Sequence, residues 1–230
     1  MIAADRREFA GLEPRFNRAT ALDWGLDYAR RAEHRGRQWL LVANGPGPRL
    51  AAEAFDAAIA RAPVNRVMST GFCGAVDPAL EVGDVIAVNR VLDLASGTAY
   101  DTDVPRAARR LPTGALACQD RVITSAEEKA AIRRETGAIA VDMESSAVAA
   151  RSVARGIPWQ AVRVVSDRAS ESFSLDFNRA RDPQGRFRMV TIVQIALRRP
   201  MQRVPELLRL ARHTKAAADA LGEFLSGDEA

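Results

Sequence analysis

The stretch that most constrains this chain is Gly137–Ala169, GAIAVDMESSAVAARSVARGIPWQAVRVVSDRA. It reads as strand, helix, strand. Gly137–Val141 is a short apolar run, and helical spacing begins near Met143. Gly156-Ile157-Pro158 closes the helix, because glycine tolerates the left-handed C-terminal geometry and proline cannot continue a helix. Trp159–Val165 is a second apolar run with β-branched residues. Carboxylates follow each strand: Asp142 and Glu144 after the first, Asp167 after the second, with Met143 and Ser166 beside them. Open α/β sheets bind ligands at the carboxyl ends of their strands. The spacing therefore predicts acids from two strands arriving at one place.

The 230 residues suffice for one α/β core and are too few for two large domains. A single domain over 1–230 is expected. No run approaches the roughly 20 apolar residues that span a bilayer. The first eight residues carry acids and arginines and no apolar core, so no secretory signal is visible. Two cysteines, Cys73 and Cys118, make neither a disulfide framework nor a metal set. Both are expected to be reduced and buried, in a cytoplasmic protein. The net charge is +4, and lysine occurs only at Lys129 and Lys215. The basic runs lack the interleaved aromatics of a stacking platform, so no nucleic-acid partner is expected. The modest positive excess leaves contact with an anionic membrane surface open.

Taken in order, Met1–Ala4 predicts a very short strand and Asp5–Leu12 a helix. Ala21–Arg35 predicts a helix, Gln38–Ala43 a buried strand, and NGPGPR a turn. Arg49–Ala62 is an alanine-rich helix, and Val64–Thr70 a strand running into a Gly71/Gly74 turn. Asp84–Val91 is a strand, Leu94–Pro112 an irregular passage, and Ala115–Thr124 a strand. Ser125 with Glu128 predicts a capping box for the next helix. Arg168–Phe187 reads as a flexible loop over the site and Arg188–Arg198 as a helix. Pro205–Leu225 recurs with helical spacing and predicts an amphipathic C-terminal helix. His34 and His213, the two histidines, are expected far apart on surface helices, so no metal set is predicted. No P-loop or dinucleotide fingerprint appears, and no cofactor is implied.

VDMES (Val141–Ser145) followed by RVVSDRA (Arg163–Ala169) resembles the signature of the nucleoside phosphorylase and nucleosidase superfamily. That group includes purine nucleoside phosphorylases and methylthioadenosine/S-adenosylhomocysteine nucleosidases. The resemblance runs from Ile2 to about Asp167. ITSAEEKAAIRRETGAIAVDMESSAVA is most similar to the hopanoid-associated branch, which removes adenine from adenosylhopane. The resemblance implies a three-layer α/β/α fold with a mixed central sheet. It also implies a homodimer or higher homo-oligomer, with a subunit contact near Tyr100–Val104. The activity implied is cleavage of a purine nucleoside, with adenine leaving from a 5′-substituted adenosine. A methylthioadenosine/S-adenosylhomocysteine nucleosidase, a phosphate-dependent phosphorylase and a non-catalytic nucleoside-binding or membrane-peripheral protein are the alternatives.

Such a reaction sets three demands. The departing base needs a proton, and the resemblance gives that task to Asp167, beside Ser166, through a tuned carboxyl. Taken alone, Asp167 reads as a turn residue after a strand. The ribose hydroxyls need strong acceptors; Glu144 takes them, with Met143 on the sugar face. Alone, Glu144 reads as a first-turn helix acid. The attacking water needs orientation, and the resemblance gives that to Glu8, which otherwise reads as a solvated first-turn acid. Arg163, in an apolar strand, requires a carboxylate partner and is expected to tie Glu144 and the water together, with Asp142 behind them. Gly71 and Phe72 stand in the family's glycine-rich loop, Val122 and Ile123 along the base pocket, and Phe173 with Phe72 toward an apolar 5′ channel. Phosphorolytic relatives carry an arginine and a serine where this chain has Ser69 and Phe72. A phosphate dianion needs such donors, so water is favoured as acceptor, with phosphate a co-substrate only if the enzyme is phosphorolytic.

Overall fold

The computed structural model describes residues 1–187, 189–197 and 199–227. Its strands are Ile2–Ala3 (β1), Arg18–Ala21 (β2), Tyr28–His34 (β3), Arg37–Ala43 (β4), Val67–Ala75 (β5), Val85–Asp93 (β6), Ala99–Asp101 (β7), Thr113–Cys118 (β8), Ala140–Asp142 (β9) and Trp159–Asp167 (β10). Its α-helices are Pro48–Arg61 (α1), Ala126–Thr136 (α2), Ser145–Ala154 (α3), Met189–Leu197 (α4) and Pro200–Leu225 (α5). No helix among the described residues is long and apolar enough to cross a membrane.

Period-two alternation along the central strands builds a core on each face. Ala3, Leu41, Ala43, Met68, Val162 and Val164 pack with Leu221 and Leu225 of α5. Their sequence neighbours Ile2, Val42 and Val67 pack instead with Ala54 and Phe55 of α1 and Val148 of α3. Helix, sheet and helix thus form three layers, and the expected mixed α/β architecture is borne out. The strands follow the order β10-β6-β8-β9-β5-β1-β4-β3-β2, with β7 on β6. β10 also pairs with β5, so β10, β6, β8, β9 and β5 close into a ring. β1, β5 and β10 are mutually parallel, whereas β9 runs antiparallel to β5.

That reversal refines the expectation of acids meeting at strand ends. Asp167 stands at the carboxyl end of β10, level with Gly74. β9 enters from the opposite direction, with Val141 level with Gly74. Asp142 therefore points back toward the middle of β10. A register irregularity between Val165 and Asp167 isolates Ser166; such bulges re-aim side chains.

Several local expectations fail for identifiable reasons. Ala21–Arg35 is not a helix: β2 and β3 form an antiparallel hairpin that extends the sheet beyond β4. Its charged residues are an exposed strand face, not a helix face. His34 accordingly lies on β3, near the carbonyl of Ser226, while His213 is on α5 as expected. Asp5–Leu12 reduces to a 3-10 turn, Arg6–Phe9. Leu94–Pro112 contains strand β7, paired with β6. β8 ends at Cys118, so Val122 and Ile123 lie in a loop. Gly137 caps α2 in the left-handed region instead of opening β9. The capping box is half formed: Ser125 accepts from the Glu128 amide, but the Glu128 carboxylate pairs with Arg121. The predicted helix Arg188–Arg198 has both its end residues outside the described residues; α4 lies between them.

One contact fixes the C-terminal helix against the N-terminus. A Cβ on Gly222 would lie 2.1 Å from the Gly11 carbonyl carbon, and one on Gly11 would overlap the Ala218 carbonyl. α5 thus seats backbone on backbone just after the turn that carries Glu8. Leu221, fully buried beside this contact, should lose about 2–5 kcal/mol on Leu221→Ala. Leu208→Ala, on the exposed part of the same helix, should change stability by less than about 0.5 kcal/mol. Urea unfolding of both variants checks the contrast.

Candidate active site

Arg163 is fully buried at the middle of β10. A guanidinium there needs partners, and oxygens answer both of its terminal nitrogens, while Nε has none among the described residues. Its Nη2 lies 2.7 Å from Asp142 Oδ2, 2.8 Å from Ser69 Oγ and 2.7 Å from Ser145 Oγ. Its Nη1 donates to the Thr70 carbonyl. The carboxylate partner that the sequence demanded is therefore Asp142, not Glu144. Asp142 also accepts from the Ser145 amide at 3.0 Å, at the start of α3. Ser69 is spent on this network.

Glu8 faces the same guanidinium from β1's side. Its Oε1 accepts from the Phe72 amide at 2.6 Å, and its Oε2 from the amides of Ala4 at 2.7 Å and Asp5 at 2.9 Å. It is 4% exposed, which excludes a solvated helix-end acid. Gly71 makes this approach feasible. Its φ is +130°, and a Cβ would collide with Glu8 Oε1 and stand 2.9 Å from Arg163 Nη1. Burial raises the Glu8 carboxyl above its ordinary range, opposed by the Arg163 charge and the three amides.

Glu144 stands at the N-terminus of α3. Its Oε1 accepts from the Gly47 amide at 2.8 Å and its Oε2 from the Met143 amide at 3.3 Å. Burial first, then the Asp142 carboxylate, raise its carboxyl to about 8, against the pull of Arg163. Met143 beside it is half-buried. A cavity of about 620 Å³ opens at Gly47, with Arg49, Asp120, Arg181 and Asp182 in its wall.

Asp167 is held differently. Its Oδ1 lies 2.8 Å from Ser166 Oγ, and its Oδ2 lies 2.5 Å from Nζ of Lys129 on α2. Ser166 Oγ also lies 3.1 Å from the Cys73 carbonyl. The buried Cys73 thiol lies within the field of both groups of charges. Burial pushes it well up, helped by the carboxylates of Asp167, Asp142 and Glu8 and opposed by Arg163.

The remaining predicted residues divide. Val122 is clamped through its backbone by Asn178, at 2.9 and 3.0 Å, and packs with the Leu175/Phe177 cluster that includes Phe173. Ile123 points away, among Val76, Ala117 and Ile132. Phe72 contributes its amide to Glu8, while its ring packs toward Phe9 and Leu12. The loop after Asp167 is anchored: Phe173 N donates to the Thr124 carbonyl at 2.7 Å, and buried Glu206 of α5 accepts from Ser174 N at 3.1 Å. Lys129 and the Gly47 amide were missed from the sequence. A lysine on a helix otherwise full of charge gave no sign of burial, although its rarity in this chain was a signal.

Residues 28–198 match the family model described as the phosphorylase superfamily. The chain belongs to that superfamily. It is similar to the 5′-methylthioadenosine/S-adenosylhomocysteine nucleosidase of Thermotoga maritima, 31% identical over 129 residues, covering 50% of this chain and 59% of that protein. The chain thus spans less than two thirds of that relative's length. Among solved structures it resembles the nucleosidase of the same description from Neisseria meningitidis in complex with methylthio-immucillin-A. There the TM-score is 0.74 at 22% identity, covering 98% of this chain and 95% of the other. It also resembles the futalosine hydrolase of Helicobacter pylori, with a TM-score of 0.73 at 17% identity, covering 97% and 93%. Identities this low establish the shared fold.

The raised Glu144 carboxyl makes stability pH-dependent. Between its ordinary value of 4.5 and about 8 the folded state holds a proton that the unfolded state has released. Stability therefore falls as pH rises through that window, by up to about 1.4 kcal/mol per pH unit from this one group. Glu144→Gln should flatten the slope and gain stability relative to wild type on going from about pH 5 to about pH 8. Denaturant titrations across that range check it.

Proposed function

We propose that this chain hydrolyses the N-glycosidic bond of a purine nucleoside, releasing adenine from a 5′-substituted adenosine, with adenosylhopane as the substrate. The observation that carries the reading is one set of acids arranged around Arg163 and Cys73 in a member of this superfamily. Glu8 takes the proton of the attacking water, since a carboxyl raised by burial is a better base. Arg163 and the Phe72 amide hold Glu8, and Gly71 leaves the room. Glu144 accepts the ribose hydroxyls, with Met143 on the sugar. Asp167, with Ser166, protonates the base as the C1′–N9 bond breaks, and Val122 and Phe173 line the base and its exit. Water is the acceptor because the position that carries an arginine in phosphorolytic relatives is Ser69 here, spent on Arg163.

The hydrocarbon of an adenosylhopane substrate gains nothing in the polar cavity at Gly47. Its place is the apolar cluster of the loop after Asp167, where Phe173 and Phe177 meet edge to face at 5.6 Å. Beyond that cluster Val193, Leu197, Met201, Val204 and Leu208 on α4 and α5 are exposed, Met201 by 93%. Exposed Arg199 and Arg212 share this region. A peripheral contact with an anionic membrane is part of the proposal, as are a cytoplasmic location and a homo-oligomer with a subunit contact near Tyr100–Val104.

Asp167→Asn should cut turnover about 10²–10⁴-fold with the fold intact, because asparagine has no proton to donate. Retention of a tenth of wild-type activity would remove Asp167 from the role. Running the wild type with and without phosphate, and analysing for ribose or ribose-1-phosphate, decides the acceptor. Nucleosides with long apolar 5′ groups should show higher kcat/KM than methylthioadenosine; the reverse preference sinks the hopanoid substrate. Co-sedimentation with anionic liposomes at low salt tests the membrane contact independently of catalysis.

A further inference from the structure

We propose that Lys129 is the source of the proton that Asp167 passes to the leaving base. The inference rests on the nucleosidase reading above. Lys129 is fully buried, and its side chain is 1% exposed. An ammonium has three hydrogens, and each has a destination here. Nζ lies 2.5 Å from Asp167 Oδ2 and 2.6 Å from the Arg168 carbonyl. Its remaining side faces the Phe173 ring, whose centroid is 5.6 Å away. Placing an ammonium in such a site carries a heavy desolvation penalty. A purely structural strut between α2 and the following loop needs no charge.

Asp167 shows the other half of the arrangement. Oδ1 faces the Ser166 hydroxyl and Oδ2 faces the ammonium. Within this ion pair the shared proton lies between Nζ and Oδ2, which are 2.5 Å apart. The proton within reach is on Lys129. The step is balanced as follows. One proton moves from Nζ to Oδ2 and on to N7 of the purine, while the C1′–N9 bond breaks and its electron pair enters the base. The water oxygen bonds to C1′ and its proton goes to Glu8. Lys129 is left as a neutral amine, and proton exchange with solvent restores both groups after product leaves. Moving the proton between Nζ and Oδ2 creates no new buried charge, because the ion pair becomes two neutral groups. Lys129 acts through Asp167, as its positioning residue and proton source.

Two variants and two substrates test this. Lys129→Met removes the charge and the proton. Lys129→Arg keeps a charge opposite Asp167 but cannot release a proton. One substrate is a 5′-substituted adenosine that the wild type cleaves. The other is a 4-nitrophenyl riboside with the same 5′ group, whose phenolate leaves without protonation. Both variants should lose about 10²-fold or more in kcat on the nucleoside, with KM little changed. Both should keep most of the wild-type rate on the nitrophenyl riboside. Equal losses on both substrates would make Lys129 structural and overturn the proposal, as would a Lys129→Arg variant with wild-type rates on the nucleoside. Should Lys129→Met fail to fold, Lys129→Arg decides alone. If the wild-type protein cleaves the nitrophenyl riboside but no purine nucleoside, the purine nucleosidase reading fails and this proposal falls with it; wild-type cleavage of the nucleoside with intact Lys129→Arg activity overturns this proposal only.

Discussion

A buried guanidinium organises the centre of this protein. Taking a cation out of water costs several kcal/mol and is recovered only when the geometry supplies an opposite charge and enough oxygens. Arg163 receives one carboxylate, two hydroxyls and a carbonyl, drawn from β5, β9 and the start of α3. β5 is distant in sequence from β9 and α3, which adjoin. Their meeting at one side chain fixes β9 antiparallel beside β5 and seats α3 behind it. It also sets the field in which Glu8 and Glu144 sit, since both carboxyls are raised by burial and partly drawn back by Arg163.

Much of the fold was legible where burial is two-sided or helical spacing is long. β4, α1, α3, β10 and α5 were visible because their apolar patterns are uninterrupted or strictly periodic. The hairpin of β2 and β3 was not, because its residues mix alanine with charged side chains and its strand character comes from pairing with β4 rather than from propensity. The end of β8 was overrun because Val122 and Ile123 are β-branched and apolar, but they follow the polar Gln119, Asp120 and Arg121 and serve two different clusters from a loop. The Gly11–Gly222 contact left no trace either, since a glycine chosen for close approach looks like any other until its neighbour is known.

The site was legible to the extent that its residues are chemically costly. An arginine in an apolar strand demanded an acid, and two acids stood nearby in sequence. Which of them it took, Asp142 or Glu144, depended on the direction of β9, and direction is not written in a three-residue strand. Lys129 escaped because the helix carrying it reads as solvated, with Glu127, Glu128, Arg133 and Arg134 around it. Only the packing of the loop after Asp167 turns that one position inward.

The scarcity of lysine has a practical corollary. Lys215 is exposed on α5, 78% by its side chain, whereas Lys129 is sealed beneath Arg168 and Phe173. The two side-chain amines therefore differ in access to the extreme. An acylating reagent meets Lys215 at once and Lys129 only in the instants when the loop over it lifts away. The rate at which Lys129 becomes labelled is thus a clock for that opening, written into the protein without any engineered probe.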